Sequence, residues 1–227
     1  MIGKGFIIMR YPNAQAGIKK VFVAEILTLV MALLVLVGAV MALVGVEGEG
    51  TLSDDAVAGT ILGGGALLLV SAVIGIISMI INLIGLHRGG KDEPGMRYAF
   101  IMAILALASS VAGGALTANG SASIGNMLSD LTGLFNFLVV AFVISSVIRL
   151  AEHLGDQRMI GKGHRLSAVI LLSLLGSLIL NILPALFHMD MSDNITGIIG
   201  LVSALAAVLA YILYLGFLRN AVKMLKK

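Results

Sequence analysis

Four polar side chains interrupt long apolar runs and are the first candidates for chemistry. They are, in chain order, Glu25, Asn82, Asn136 and Asn181. Ionisable and amide groups are costly to place in a lipid environment, so they mark ion or solute pathways by default. Glu25 predicts either a proton or cation site or an interfacial acid that pairs with Lys19 or Lys20. The three asparagines predict either the wall of a solute pathway or hydrogen bonds between helices.

A polar stretch between two apolar runs, "EHLGDQR" (152–158), combines carboxylates with a His and an Arg. A phosphate-handling membrane enzyme needs such groups together with further carboxylates that hold a divalent ion. The other cytoplasmic loops offer only Asp92 and Glu93 as an acidic cluster. We therefore interpret this stretch as a solvated loop.

A second polar stretch, "HMDMSDN" (188–194), contains the metal-ligand side chains His188, Asp190 and Asp193. Six residues of loop can form a metal site, but Ser192 or Asp193 also fits the N-cap of the helix that follows. We favour the cap, and we predict neither a metal site nor a cofactor.

One enzyme class with six membrane helices, the intramembrane serine proteases, was compared with "GSAS" (120–123). Their nucleophile motif is G-x-S-G, whereas this chain has Ser123 at the fourth position. A catalytic serine also needs a His base. Those proteases carry it in their sixth helix, whereas the last apolar run of this chain contains no His. Their Trp-Arg loop motif cannot exist here either, because the chain has no Trp. We predict that the protein is not an enzyme.

Composition assigns the chain to the membrane class. Of its 227 residues, 59% are hydrophobic and 12% are charged, too few to cover a water-soluble globule. The net charge of +3 does not indicate nucleic-acid binding, which usually combines Lys and Arg on one exposed face with aromatic residues for stacking, because Trp is absent and aromatic residues are only 5%. Cysteine is absent, which excludes disulfides, thiolate metal sites and lipidation on Cys. The expected solvent is a lipid bilayer.

The basic residues predict the topology. All fifteen Lys and Arg fall within four clusters, at 4–20, 88–97, 149–165 and 219–227. Each interval between clusters is long enough for two crossings of about 20 residues, and its middle carries acids but no bases. Because basic loops stay cytoplasmic, the pattern predicts six crossings with both termini in the cytoplasm.

The predicted fold is therefore an all-α, polytopic membrane protein of six transmembrane helices arranged as three hairpins. The predicted spans are 21–46, 56–86, 98–116, 131–148, 166–187 and 195–218. They form one bundle over 21–218, with hairpins at about 17–88, 95–155 and 163–221. A cytoplasmic segment, 1–20, precedes the bundle, and a basic tail, 219–227, follows it.

A short step, Gly-x-Lys or Gly-x-Arg, precedes each odd-numbered run. It occurs at 17–19, 95–97 and 163–165, a spacing that fits one hairpin per repeat. One interpretation is internal duplication, which predicts a parallel, pseudo-threefold repeat about the membrane normal. The other is that helices leaving the cytoplasm commonly start with a base and that Gly is abundant here.

Small residues within the runs predict close helix packing. Backbones approach each other where small residues recur four apart, which stabilises helix pairs in lipid. The candidates are Gly38, Ala42, Gly59, Gly63, Gly113 and Gly114. We expect them to pack the internal bundle or to permit a bend.

These features support two functional hypotheses, and a third ranks below them. The first is transport or binding of a small solute, alone or as the membrane subunit of a larger transporter complex, with Glu25 and the three asparagines on the pathway. The second is a structural or assembly scaffold, and the third is an intramembrane enzyme. A polar-lined cavity near mid-membrane favours the first, whereas a solidly packed bundle with an outward glycine face favours the second.

The expected partners are the bilayer itself, anionic lipid at the basic cytoplasmic loops and a protein partner subunit, with no nucleic acid. The expected location is the cell (plasma) membrane of a bacterium.

Overall fold

A computed structural model describes residues 11–47, 54–187 and 193–226, and all regular structure in these ranges is α-helical. The six helices are α1 (Pro12–Glu47), α2 (Asp54–Gly89), α3 (Pro94–Ala118), α4 (Ala122–Leu154), α5 (Gln157–Phe187) and α6 (Asp193–Met224). The predicted all-α class is confirmed.

Five segments of the described helices are long and apolar enough to cross a membrane. They are Pro12–Met41, Leu62–Gly89, Pro94–Ala118, Ala122–Leu154 and Ala206–Met224. The shortest has 19 residues, which at about 1.5 Å per residue covers about 28 Å, close to the hydrocarbon thickness of a bilayer. The helices are compatible with a membrane-embedded protein. The predicted crossing at 166–187 is not among the five, so six crossings and their orientation stay predictions.

Several helix ends differ from the predicted span limits. α1 begins at Pro12 rather than at residue 21. The polar stretch 117–130, predicted as the break of the second hairpin, is mostly helix, because α4 already begins at Ala122. Only residues 119–121 form the turn, and Gly120 takes the φ of +84° that makes it so short. A hydropathy pattern locates the lipid boundary, whereas a helix continues into water until its backbone is capped.

The helices form a closed ring. Each helix packs against the next one along the chain, and α6 packs back against α1. The hairpins α1–α2, α3–α4 and α5–α6 are therefore neighbours of one another in a cycle. This arrangement is the one that a repeat of three hairpins predicts, and the duplication itself stays a prediction.

The glycine of each repeated step lies where an odd-numbered helix meets an even-numbered one. Gly17, Gly95 and Gly163 are all buried, while the basic residue two positions later is exposed in each case. A Cβ on Gly17 would lie 2.6 Å from the carbonyl oxygen of Gly85 in α2, and a Cβ on either of the other two would collide with an α4 side chain. The step therefore has a packing role in all three hairpins.

The hydrophobic core lies toward the end of the bundle that carries the basic clusters, here called the basic end. Its largest fully buried side chains come from five helices. They include Ile18, Leu86, Met96, Ile144, Leu150 and Leu218. Toward the opposite end, the first two hairpins expose large apolar side chains such as Leu36, Leu69 and Val111. In this part of the bundle, the helices of each of these hairpins pack mainly against each other.

Candidate functional site

Three acidic residues at the basic end, Asp92, Glu93 and Asp156, are used as helix caps. Asp92, in the turn between α2 and α3, caps α1: its Oδ2 accepts hydrogen bonds from the backbone N–H groups of Asn13 (2.7 Å) and Ala14 (2.9 Å). Its Oδ1 accepts a third from Asn13 Nδ2 at 2.9 Å. These bonds satisfy donors that a helix start leaves free. Asp92 is therefore committed to structure.

Glu93 and Asp156 have similar roles. Glu93 is 3% exposed, accepts a hydrogen bond from the Gly95 N–H at 3.3 Å and lies 3.7 Å from the Arg149 guanidinium. Asp156, in the "EHLGDQR" stretch, accepts from the Met159 N–H at 3.0 Å and so caps α5. The predicted loop is shorter than that stretch, because α4 ends at Leu154 and α5 begins at Gln157, which leaves only Gly155 and Asp156 between the two helices. His188 and Asp190 of the other polar stretch lie outside the described residues.

Glu25 contacts a tyrosine rather than a lysine. The Tyr211 hydroxyl of α6 donates a hydrogen bond shared between Glu25 Oε2 (2.8 Å) and the Glu25 carbonyl oxygen (2.7 Å). In the described residues Glu25 forms no ion pair with Lys19 or Lys20. This hydrogen bond joins the first hairpin to the third.

Hydroxyl groups clamp α1 on two sides at the same level. Ser78 Oγ of α2 donates to the carbonyl oxygen of Ala24 at 2.7 Å and lies 2.8 Å from Thr28 Oγ1. Tyr211 binds the next carbonyl along, that of Glu25. In lipid, interhelical hydrogen bonds of this kind each contribute about 0.6 kcal/mol, with a maximum near 1.7. They fix the position of α1 beside a cavity.

That cavity, here called the interhairpin cavity, lies between the first and second hairpins near the middle of the bundle and has a volume of about 270 Å³. All four helices of the two hairpins contribute to its wall. The polar lining residues are Thr28, Ser78, Asn82, Ser110, Thr132 and Asn136. No lining residue carries a charge. The chemistry of the wall is thus neutral, with hydroxyl and carboxamide groups set among Met, Leu, Ala and Gly.

Asn82 is the polar group of the cavity whose hydrogen bonding is incomplete. Its Oδ1 is buried and accepts no hydrogen bond from the described part of the protein. A buried acceptor without a partner costs about 1–3 kcal/mol. By contrast, the hydroxyls of Thr28 and Thr132 each donate to the backbone one turn earlier, at 3.1 and 2.9 Å. Asn82 therefore contributes to the cavity wall a carboxamide whose oxygen has no partner in the described part of the protein.

The structure brings two of the four predicted pathway residues together. Asn82 and Asn136 line the same cavity from α2 and α4, although they are 54 positions apart. Glu25 does not line it and instead contacts α6. Asn181 belongs to α5, and its side chain lies outside the described residues.

The predicted packing glycines fall into two groups. Gly38, Gly63 and Gly113 lie at helix contacts, where an added Cβ would come within 3.1 to 3.2 Å of a neighbouring helix. Gly59 and Gly114 have no neighbouring atom within 4 Å of such a Cβ. The side chain of Ala42 lies outside the described residues.

The sequence analysis did not select the hydroxyl residues of this region. Ser78, Ser110, Thr28 and Thr132 carry no distinctive signal in the sequence, because a Ser or Thr in a membrane helix usually bonds to its own helix backbone. Tyr211 was also missed. The available signal for it was its position beside Tyr214 one turn along α6, which places two hydroxyls on one helix face in an apolar segment.

Comparisons with protein-family models, with curated protein sequences and with solved structures found no match to this chain.

Proposed function

We propose that the protein is a non-enzymatic, multi-pass membrane protein that binds a small, uncharged polar solute in the interhairpin cavity and transports it. It acts alone or as the membrane subunit of a larger transporter complex. In the proposed orientation both termini and the basic end face the cytoplasm of a bacterial cell. The observation that carries the proposal is the buried, unpartnered Asn82 Oδ1 in a polar cavity.

The chemistry of the cavity supports this class of solute. Its volume of about 270 Å³ lies just below the range of about 300–1,000 Å³ that is typical of ligand sites, so only a small solute fits. Its neutral wall offers nothing to balance a charged solute, and a net charge in such a site is strongly unfavourable. A carboxamide lines the cavity at Asn82, so a solute that carries a hydrogen-bond donor can satisfy the oxygen that otherwise lacks a partner.

The test is native mass spectrometry of the full chain purified in mild detergent, with Asn82→Leu as the variant. We expect a defined small molecule on the wild type and at least tenfold lower occupancy on the variant, since a lost hydrogen bond of about 1.4 kcal/mol corresponds to a factor of ten. The matched control is Asn126→Leu, because Asn126 is exposed on α4 and does not line the cavity.

Equal occupancy in Asn82→Leu and Asn126→Leu would contradict the assignment of the site. If binding is lost as expected, flux of the identified solute into proteoliposomes then separates transport from binding alone. A transporter gives saturable flux that Asn82→Leu removes, whereas a pure binding protein gives none.

A scaffold is the second candidate, and one observation favours it. Gly59 and Gly114 present open surface on α2 and α3, where another membrane helix can approach closely. A stoichiometric protein partner that is lost on Gly114→Leu, with no small molecule present, supports the scaffold over the transporter.

A further inference from the structure

A groove between α5 and α6 changes from cationic to apolar along its length. It has a volume of about 360 Å³ and is lined at the basic end by Lys162, Arg165 and Asn220. Its other end is lined by Val169, Ile212 and Leu213. At about 1.5 Å per residue, the eight positions from Ile212 to Asn220 separate the two ends by about 12 Å.

The apolar half of the groove is a surface that only a nonpolar group can cover favourably. Leu166 and Phe217 are buried and form its floor, while Val169, Ile212 and Leu213 are exposed along its sides. The same part of α6 belongs to the segment Ala206–Met224, which is long and apolar enough to cross a membrane. The groove therefore begins at the basic boundary of the apolar zone and runs into it.

The cationic half has more positive charge than the protein itself neutralises. A second cavity of about 310 Å³ shares Lys162 and Asn220 with the groove and adds Arg158 and Lys223. Asp156 is the one acid in its lining, and its Oδ1 already accepts the N–H of Met159. In the part of the chain that the structure describes, none of these cations meets the ion-pair criterion.

We propose that this groove binds an anionic phospholipid, with the phosphate between Lys162 and Arg165 and one acyl chain along Val169, Ile212 and Leu213. The cationic end of the groove complements the phosphate of such a lipid, and the adjoining apolar end complements its acyl chain. Lys and Arg side chains at a membrane boundary attract anionic headgroups, and their apolar stems cover adjoining hydrophobic surface. A free phosphate or a soluble acidic segment would leave the apolar half uncovered. The site lies on the third hairpin and does not depend on the solute proposed for the interhairpin cavity.

The test uses the full chain in mild detergent, titrated with phosphatidylglycerol or with phosphatidylcholine of the same acyl chains, and native mass spectrometry counts the bound lipids. We expect saturable retention of one phosphatidylglycerol and at least tenfold weaker retention of phosphatidylcholine. The double variant Lys162→Gln/Arg165→Gln should weaken phosphatidylglycerol binding by about tenfold or more, since each basic residue near a membrane surface contributes about one kcal/mol.

The charge control is Arg219→Gln/Lys226→Gln. It removes the same charge from exposed positions that line neither cavity, and it should retain the lipid. An equal loss in both double variants would overturn the proposal in favour of a diffuse basic surface.

Gly216→Leu tests the apolar half independently of charge. A Cβ at Gly216 meets no atom within 4 Å, so the new side chain fills the groove without disturbing the helix contact. We expect it to remove the lipid as strongly as the charge variant, whereas Gly133→Leu, at an equally open position on α4, should not. Wild-type lipid retention in Gly216→Leu would overturn the proposal, as would equal competition by inorganic phosphate, which would indicate a phosphate site. A matching thermal unfolding midpoint shows that each variant is folded.

Discussion

The two ends of the bundle are built differently. At the basic end, side chains from several helices meet in one core, and Leu86 of α2 has no exposed surface. Further along the same helix, Leu69 is 72% exposed. One half of the bundle is thus held together by protein packing, whereas the other half, in the first two hairpins, keeps a large apolar surface exposed. The hydrophobicity of the side chains does not distinguish these halves. They differ in whether other helices pack against those side chains.

A matched pair of leucines on α2 tests this difference between the two ends directly. We expect Leu86→Ala to lower the free energy of unfolding by about 2–5 kcal/mol, because it leaves a cavity in a packed core. Leu69→Ala should change it by less than about 0.5 kcal/mol, as surface substitutions do. Denaturant titration in one detergent, followed by circular dichroism, measures both. Similar losses for the two variants would mean that the halves are not distinct.

Alanine substitutions at two glycines, one buried and one open, should change the stability of the protein in opposite directions. Gly17→Ala places a Cβ 2.6 Å from the Gly85 carbonyl oxygen, and we expect it to destabilise the protein by about 1–3 kcal/mol through overpacking. Gly114→Ala meets no atom within 4 Å and should stabilise it by about 0.5–1 kcal/mol, since Ala is the better helix former. The thermal unfolding midpoint should therefore fall for the first and rise for the second. A rise for Gly17→Ala would contradict the close crossing of α1 and α2.

The cap on α1 tests how the basic end is fastened. Asp92→Ala removes three hydrogen bonds to the start of α1, and we expect a loss of about 1–2 kcal/mol. Asp130→Ala, at an exposed position of α4, is the matched control and should be close to neutral. Hydrogen exchange at the amides of Asn13 and Ala14 locates the effect. Unchanged exchange at these two amides in Asp92→Ala would exclude the cap.

The smallest expected effect compares two tyrosines one turn apart on α6. Tyr211→Phe removes the bond to Glu25 and should cost about 1 kcal/mol. The Tyr214 hydroxyl is buried and has no hydrogen-bond partner in the described part of the protein, so Tyr214→Phe should be neutral or slightly stabilising. Unfolding midpoints measured side by side separate the two. Equal losses would show that bulk packing at this level, rather than the Glu25 contact, matters.

The sequence was sufficient for properties that depend on composition along the chain. The apolar runs and the basic clusters predicted an all-helical, hairpin-based protein, because helices satisfy their own backbone in lipid. The helix ends were less accessible: α1 starts at Pro12 because Asp92, 79 positions away from Asn13, caps it. A cap that comes from another part of the chain leaves no local signal.

The site shows the same limit. Asn82 and Asn136 were selected as polar groups in apolar runs, and this property is visible in the sequence. They share a cavity because two hairpins pack against each other. Glu25 contacts Tyr211 rather than a neighbouring lysine because α6 packs against α1. Such pairings over long separations follow from the fold and could not be read from spacing.

The cap on α1 also has a consequence for the order of assembly during synthesis. The ribosome completes Pro12 and Asn13 long before it reaches Asp92, and at about 5–20 residues per second the 79 intervening positions take about 4–16 s. Throughout that delay the first amide groups of α1 must rely on water or headgroups. The N-terminus of α1 is therefore capped only after α2 has been synthesised. The turn after α2 thus completes the first hairpin once both of its helices have been made.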